Sequence, residues 1–348
     1  MENEYPKQPP PTVIQSNWVS QPSIHESESF YKQLFTFSSP ICFDEKMNFL
    51  SPLCSEKLHP TSNKMALIID TRFDEIMENV IRNFMFFMNP LGWNLMIISH
   101  PMYESIIKDK FPYCIFGKIE EDLIFYDENQ IPNISMQTYN QILLSPYLWN
   151  SLQGEHIAIF QKDCIMYNMF DEFFLNYDFA GANTYLPPFQ TFYHGMMNGG
   201  FSLRKKSTML ECLEKVNCQI INNYISTMKE SIQPFLEDKS NFSALRFEKF
   251  KNCFHEYTLE NINEDIFFSF ACEILHKKIP DIEHRKKLSI EFEEPIYLNN
   301  VPNQTSLPAV YHGWNKNYHS VEAAKYFISF SSYPHFQSFR NEVCMASL

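Results

Sequence analysis

Glycine is scarce in this chain: eight residues in 348. Glycine is used where φ must be positive or where a neighbour lies too close for a Cβ, so a chain this poor in it places few by accident. Cysteine is scattered, nine residues with no CxxC pair, and the odd count fits reduced thiols in a cytosol-like compartment better than a disulfide framework. No Cys/His spacing fits a zinc site, so the sequence offers no soft-metal cluster. Positive charge is short as well. Lys and Arg total 28 against 41 acidic residues, giving a net charge of -13 and a pI near 5.3, which argues against a general nucleic-acid or anionic-membrane binder. No stretch of roughly 18 apolar residues occurs, and the polar, Pro-rich start MENEYPKQPPPTV has no apolar signal region. A cytoplasmic protein without a membrane span is expected. The Asn-x-Ser/Thr triplets at Asn133, Asn241 and Asn303 therefore carry little weight. No internal repeat is present.

Hydrophobic residues make up 45% of the chain, enough for a sizeable core. The pairing of 33 Phe with few Gly, together with abundant Asn, Ile and Lys, is the usage of an AT-rich genome. Residues 1–28 are rich in Pro, Ser, Gln and Glu without apolar periodicity and read as a flexible arm. Residues 29–64 alternate aromatics with the breaks Ser39-Pro40 and Ser51-Pro52, an irregular extension. A catalytic domain is expected over 65–318, with 319–348 as a C-terminal tail packed on it.

Within that domain, Met65–Asp70 (MALIID) and Trp93–Ile98 (WNLMII) are apolar runs of strand length. Between them a helix opens at Asp74, with Ile76, Val80, Ile81, Phe84 and Met88 on its apolar face, and stops at Asn89-Pro90-Leu91-Gly92. A βαβ beginning predicts a parallel sheet with helices on its faces. Short strands follow near 113–116 and 123–125, then a helix over 136–152 interrupted near Pro146 and a central strand at His156–Gln161 (HIAIFQ). The pattern continues with a helix or helical turn over 165–174, a long helix over 205–236 and another over 241–254. The fold class expected is α/β, a Rossmann-like mixed sheet, mainly parallel, flanked by helices.

Ligands of open α/β sheets gather beyond the carboxyl ends of strands. At the first strand end stand Asp70, Thr71 and Arg72, suited to a nucleotide or equally to a capped helix start. At the central strand end stand Gln161, Lys162 and Asp163, with Asp163 placed to meet a metal and Gln161 to hydrogen-bond a ribose or sugar. Asn198-Gly199-Gly200, opening NGGFSLR, reads as a loop admitting ligands close to the backbone, or as an Asn-Gly hairpin turn. Asn263 is a good N-cap, putting Glu264 and Asp265 in the first turn of a helix. The two acids read as complements of the helix dipole, or with Asp265 as a general base for an acceptor hydroxyl; a helix N-terminus lowers a carboxyl pKa where a good base gains from a raised one, and partial burial beneath substrate would have to offset it. His312, in YHGWN, reads as a ligand on a short turn, or as a packed or surface residue. Two hydrolytic carboxylates are disfavoured, because Glu264 and Asp265 are helix neighbours that point apart.

Taken in order, Asp70-Thr71-Arg72, IFQKD, YDFAGA, NGGFSLR, NEDIFFS and HGW resemble the family labelled domain of unknown function 5672, over roughly residues 65–315. That family looks like a branch of the GT-A glycosyltransferases. The resemblance implies a metal-dependent transferase moving a sugar from a nucleotide-sugar donor, a UDP-sugar by analogy, to a hydroxyl on a glycan or protein acceptor. The GT-A Asp-x-Asp signature is here Gln161-Lys162-Asp163, so the resemblance makes Asp163 a ligand of Mn²⁺ or Mg²⁺ and His312 the late histidine that completes the metal site. Asp265, with Glu264 beside it, falls where inverting members carry the base. A non-catalytic module that binds a sugar or a partner protein is the alternative.

Overall fold

The computed structural model describes residues 58–183, 196–237, 256–291 and 308–313. The expected N-terminal arm, most of the extension, the helix at 241–254 and the C-terminal tail lie outside the described residues. The first half follows the βαβ expectation. Strand β1 (Lys64–Ile69) leads to helix α1 (Glu75–Met88), whose N-cap Asp74 accepts a hydrogen bond from the Met77 N–H at 3.0 Å. A 3₁₀ turn at Asn89–Leu91 stops the helix, and Gly92, at φ +84°, supplies the left-handed residue that turns the chain into β2 (Asn94–Ser99). Helix α2 (Glu104–Lys110) and strand β3 (Ile115–Lys118) complete the parallel half. A small ladder of β4 (Phe125–Tyr126) and β5 (Pro132–Asn133) precedes α3 (Met136–Leu143) and α4 (Pro146–Ser151), which part near Pro146 as the sequence predicts.

Strand β6 (His156–Phe160) pairs parallel with the far side of β1. After it come β7 (Cys164–Met166), β8 (Phe179–Asn183) and β9 (Met197–Lys205), then helices α5 (Lys206–Lys215) and α6 (Cys218–Glu237). Helices α7 (Glu264–Ile274) and α8 (Ile282–Leu288) and the strands β10 (Ser289–Glu291) and β11 (Val310–His312) finish the described chain. The main sheet has the order β3-β2-β1-β6-β9-β8; the first four strands are parallel, and β9 is antiparallel to both of its neighbours. A second sheet, β10-β11-β7, packs beside it. The class is therefore α/β with a mixed, mainly parallel central sheet. None of the described helices is long and apolar enough to cross a membrane.

Both faces of the sheet are covered, so its strands read as unbroken apolar runs. Ala66, Ile68, Leu95, Ile97, Ala158 and Phe160 point to α1, where Phe84 stacks on Phe160 with ring centroids 4.2 Å apart. Met65, Leu67, Ile69, Ile98, Ile157 and Ile159 point the other way, toward α3, α4, α5 and α7.

Four sequence expectations change. Residues 165–174 are not a helix: Cys164–Met166 is taken by an antiparallel ladder with β11, and a 3₁₀ turn at Glu172–Asn176 follows. The long helix at 205–236 is two, because the Asn217 side chain accepts the Ile220 N–H at 3.0 Å and starts α6 afresh. His312 is not on a turn but ends β11, and the turn comes at Gly313, φ +73°. Asn198-Gly199-Gly200 is not a hairpin turn, since all three lie within β9.

Replacing Phe84 by Ala removes the ring that stacks on Phe160 and should cost about 3–5 kcal/mol. Urea unfolding checks this against Phe173→Ala, whose half-exposed ring should cost far less. Equal losses would contradict the packing described.

Candidate active site

The chain walks from β1 outward to β2 and β3, then returns to the opposite flank of β1 with β6. The crevice between the carboxyl ends of β1 and β6 is thus the topological switch point, where open α/β sheets hold ligands. Asp70-Thr71-Arg72 and Gln161-Lys162-Asp163 are the residues that leave those two strands. Because β9 runs antiparallel to β6, its beginning lies at the same end, and the Gln161 N–H donates to the Gly200 carbonyl at 2.9 Å. Antiparallel pairing is what joins IFQKD to NGGFSLR.

The pairing of β8 with β9 breaks there. Gly181 faces Ser202 but the next residue, Ala182, faces Asn198, so Gly199, Gly200 and Phe201 bulge out of the ladder. The Asn198 Oδ1 accepts the Gly200 N–H at 2.6 Å and holds the bulge. A Cβ on Gly199 would overlap Glu264 Oε1, and one on Gly200 would overlap the His312 imidazole. The two bare residues are required because side chains approach the strand there from two different elements.

One of these is β11. Cys164 and His312 are directly opposite each other in the β7–β11 ladder, and Asp163 stands just before β7. The His312 Nε2 lies 3.2 Å from Asp163 Oδ1, with both side chains largely buried. The Gly313 N–H donates to the Asp163 carbonyl at 2.9 Å, and the Cys164 thiol donates to the Gly200 carbonyl at 3.1 Å.

The other is the start of α7. Both Glu264 oxygens are taken by the Arg204 guanidinium, at 2.5 and 3.0 Å, in a pair that is essentially buried. Arg204 also donates from Nε to Ser202 Oγ at 2.9 Å and lies over the rings of Phe179 and Phe268. Asp265 accepts the Gly199 N–H at Oδ2 (3.2 Å) and the N–H of Ile266, in its own helix, at Oδ1 (2.8 Å). Burial first, and then the negative charge of Glu264, push the Asp265 carboxyl up to about 7, against those two N–H groups and Arg204.

Asn263 occupies the N-cap position, but its side chain does not cap. Asn140 of α3 does: its Oδ1 accepts the Glu264 N–H at 3.2 Å while its Nδ2 donates to Asn263 Oδ1 at 3.1 Å. Its neighbour Tyr139 hydrogen-bonds the Gln161 side chain, and burial raises the phenol pKa. Sequence reasoning missed both residues, and no local signal marks them, since their partners lie far along the chain.

Gln161, Asp163, Asn198, Gly199, Gly200, Glu264, Asp265 and His312 are therefore linked through direct contacts around one bulge. Asp70, Thr71 and Arg72 stand at the neighbouring strand end, turned on themselves. Arg72 donates to Asp70 from its backbone N–H (2.8 Å), Nε (3.1 Å) and Nη2 (3.1 Å), and the Thr71 hydroxyl is buried without a partner among the described residues. Lys162 crosses to pair with Asp74 at the start of α1.

A family model described as "Protein of unknown function (DUF5672)" matches residues 122–312. None of the curated proteins matches. Among solved structures, mouse xyloside xylosyltransferase 1 in its apo form aligns over 72% of this chain and 97% of its own, at 13% identity and a TM-score of 0.37. The galactosyltransferase LgtC, in complex with donor and acceptor sugar analogues, aligns over 78% and 97%, at 10% identity and 0.40. The apo-form glycosyltransferase GlyE of Streptococcus pneumoniae TIGR4 aligns over 82% and 64%, at 11% identity and 0.36. Likeness at these scores carries no argument about this chain.

Two outcomes are expected of this geometry. Gly200→Ala should destabilise the protein by about 1–3 kcal/mol, and adding His312→Ala should return part of that loss, a coupling that a double-mutant cycle measures. Asp265 ionises at about 7 when folded, against about 3.9 when unfolded, so the folded state holds the extra proton between these values. Stability from this group is present at low pH and declines as pH rises through that window; Asp265→Asn should flatten the decline in a pH series of thermal melts.

Proposed function

We propose that this chain, which belongs to the family described as "Protein of unknown function (DUF5672)", is a metal-dependent glycosyltransferase that moves a sugar from a nucleotide-sugar donor to a hydroxyl acceptor. The observation that carries the reading is the Gly199-Gly200 bulge, which has a protonatable carboxyl on one residue and a carboxylate–imidazole pair against the next.

The donor's nucleotide belongs at the switch point. Asp70, Thr71 and Arg72 flank it from β1, with Arg72 able to leave its pairing with Asp70 for a phosphate or a base. Gln161, oriented by Tyr139, and Asn198 offer neutral hydrogen bonds to ribose or sugar, and the bare backbone at Gly199 and Gly200 lets the sugar lie close.

Asp163 and His312 fit a divalent cation such as Mn²⁺ or Mg²⁺. They bring one carboxylate oxygen and one imidazole nitrogen together, the missing Cβ of Gly200 leaves the imidazole room, and a diphosphate can supply further oxygens. When bound, such an ion stabilises the negative charge that builds on the departing diphosphate.

Asp265 removes the proton of the acceptor hydroxyl. With a pKa near 7 it is substantially ionised at neutral pH and still basic enough to take a proton as the hydroxyl attacks. Attack from the face opposite the nucleotide inverts the sugar carbon. Glu264 has both oxygens committed to Arg204, so it holds the helix end and raises the proton affinity of Asp265 without meeting the substrate.

UDP or GDP should raise the melting temperature only with Mn²⁺ present, by an amount corresponding to about 2.7 kcal/mol at a hundredfold excess over Kd. Asp163→Asn and His312→Ala should remove the metal-dependent part. Stabilisation by neither nucleotide would favour the binding module instead. Asp265→Asn should retain nucleotide binding and lower donor hydrolysis by about 10²–10⁴-fold. In the unmodified enzyme, kcat/KM should fall about tenfold per unit as pH drops below about 7, because the base is then protonated.

A further inference from the structure

We infer that Cys164 is a third ligand of the Asp163–His312 site, which therefore binds a borderline-soft divalent cation of the zinc or cobalt class more tightly than Mg²⁺. The inference rests on the reading of Asp163 and His312 as a cation pair and names the ion class that the pair, so completed, selects.

Residues directly opposite in an antiparallel ladder project to the same face with Cβ atoms about 4.5–5.5 Å apart. Cys164 and His312 are such a pair, 148 positions apart in sequence, and Asp163 precedes Cys164 at the strand entry. A carboxylate oxygen of Asp163, the Cys164 sulfur and an imidazole nitrogen of His312 lie within 4.8 Å of one another, as the ligands of a single ion do. Among the described residues this is the group of three metal-ligating side chains that comes together. Both Cys164 and His312 also pack on Gly200, the first through its hydrogen bond to the carbonyl and the second against the bare Cα. The glycine thus fixes the two ligands relative to each other.

The donor set is one oxygen, one nitrogen and one sulfur. Magnesium prefers oxygens in an octahedron and keeps its water, whereas imidazole and thiolate favour zinc and its neighbours, commonly with three protein ligands and an open position. Charge points the same way. The neighbouring Gln161 side chain is neutral, so without nucleotide Asp163 alone leaves a divalent cation half neutralised. On coordination the Cys164 thiol releases its proton to solvent, gives up its bond to the Gly200 carbonyl and becomes the second anion.

The test titrates the full chain, metal-free and without nucleotide, with Cd²⁺ and Co²⁺. A sulfur-to-metal charge-transfer band rising to one equivalent is expected, lost in Cys164→Ser and retained in Cys212→Ser, which alters a different buried thiol. Zn²⁺ should displace the probe at roughly a hundredth of the Mg²⁺ concentration or less, and Cys164→Ser should weaken Zn²⁺ at least about tenfold. If the variant does not fold, X-ray absorption of the zinc-loaded natural chain decides: one sulfur at about 2.3 Å supports the inference, and a shell of oxygen and nitrogen alone overturns it. A band that persists in folded Cys164→Ser also overturns it. Mn²⁺-dependent nucleotide binding without any sulfur signal would sink this inference and leave the transferase reading standing; binding of no cation at all would sink the cation pair as well.

Discussion

Two consecutive residues without side chains are the constraint on which this site depends. Gly199 and Gly200 let β9 leave its ladder with β8 for three residues while Gly200 and Phe201 stay bonded to the β6 side. Into the space left by the missing Cβ atoms come groups that the chain supplies far apart: Glu264 and Asp265 from a helix start, His312 from a short strand. A bulge can be tolerated in a central strand only if its backbone groups find partners, and here the Gly199 N–H goes to Asp265 and the Gly200 N–H to Asn198. The fold and the site are therefore solved together, since the groups that satisfy the bulge are those proposed to act on substrate.

The acid side of the bulge is held by a buried ion pair. Removing two charges from water costs several kcal/mol each, and the attraction between them offsets this only with good geometry and further hydrogen bonds. Arg204 and Glu264 have both: two N–H···O contacts, a third to Ser202, and two aromatic rings against the guanidinium. The pair anchors the first turn of α7 to β9, and Asn140 ties the same turn to α3. Asp265 thus sits on a helix end that two other elements, β9 and α3, fix, with a neighbouring negative charge that is only partly cancelled. Its raised proton affinity is a consequence of the anchoring, because the residue that anchors is also the residue that repels.

How much of this was legible in the sequence depends on how local each cause was. Strands β1 and β2 and helix α1 carry their own periodicity and caps, and the strand ends at Asp70 and Gln161 could be found from apolar run length. The break at Pro146 was equally local. By contrast, Cys164–Met166 becomes a strand because Val310–His312 pairs with it, and three apolar residues cannot announce a partner about 145 positions away. Asn140 caps a helix that starts at Glu264, so the cap was sought at Asn263, where sequence proximity puts it. The helical pattern over 205–236 runs through Asn217, and only the structure shows its side chain accepting the Ile220 N–H and starting a second helix. The proposed ligand Cys164 carries no spacing signal for the same reason as the strand, since groups brought together across a ladder have no characteristic separation along the chain.

The placement of the two chemistries on successive residues has a consequence of its own. A carboxyl with a proton affinity near neutrality would be stripped of its proton and captured if a divalent cation lay beside it. Asp265 meets the Gly199 N–H and the imidazole meets the Gly200 Cα, so the two groups are held by successive residues of the strand. Burial and Glu264 can then set the affinity of the proposed base, while the proposed ligands Asp163, His312 and Cys164 would hold a cation without competing for the same carboxylate. Had the base been drawn from the Gln161-Lys162-Asp163 turn, the two demands on one acid would conflict: a ligand must give up its proton readily, and a base must hold one. Drawing the proposed base from α7 removes that conflict.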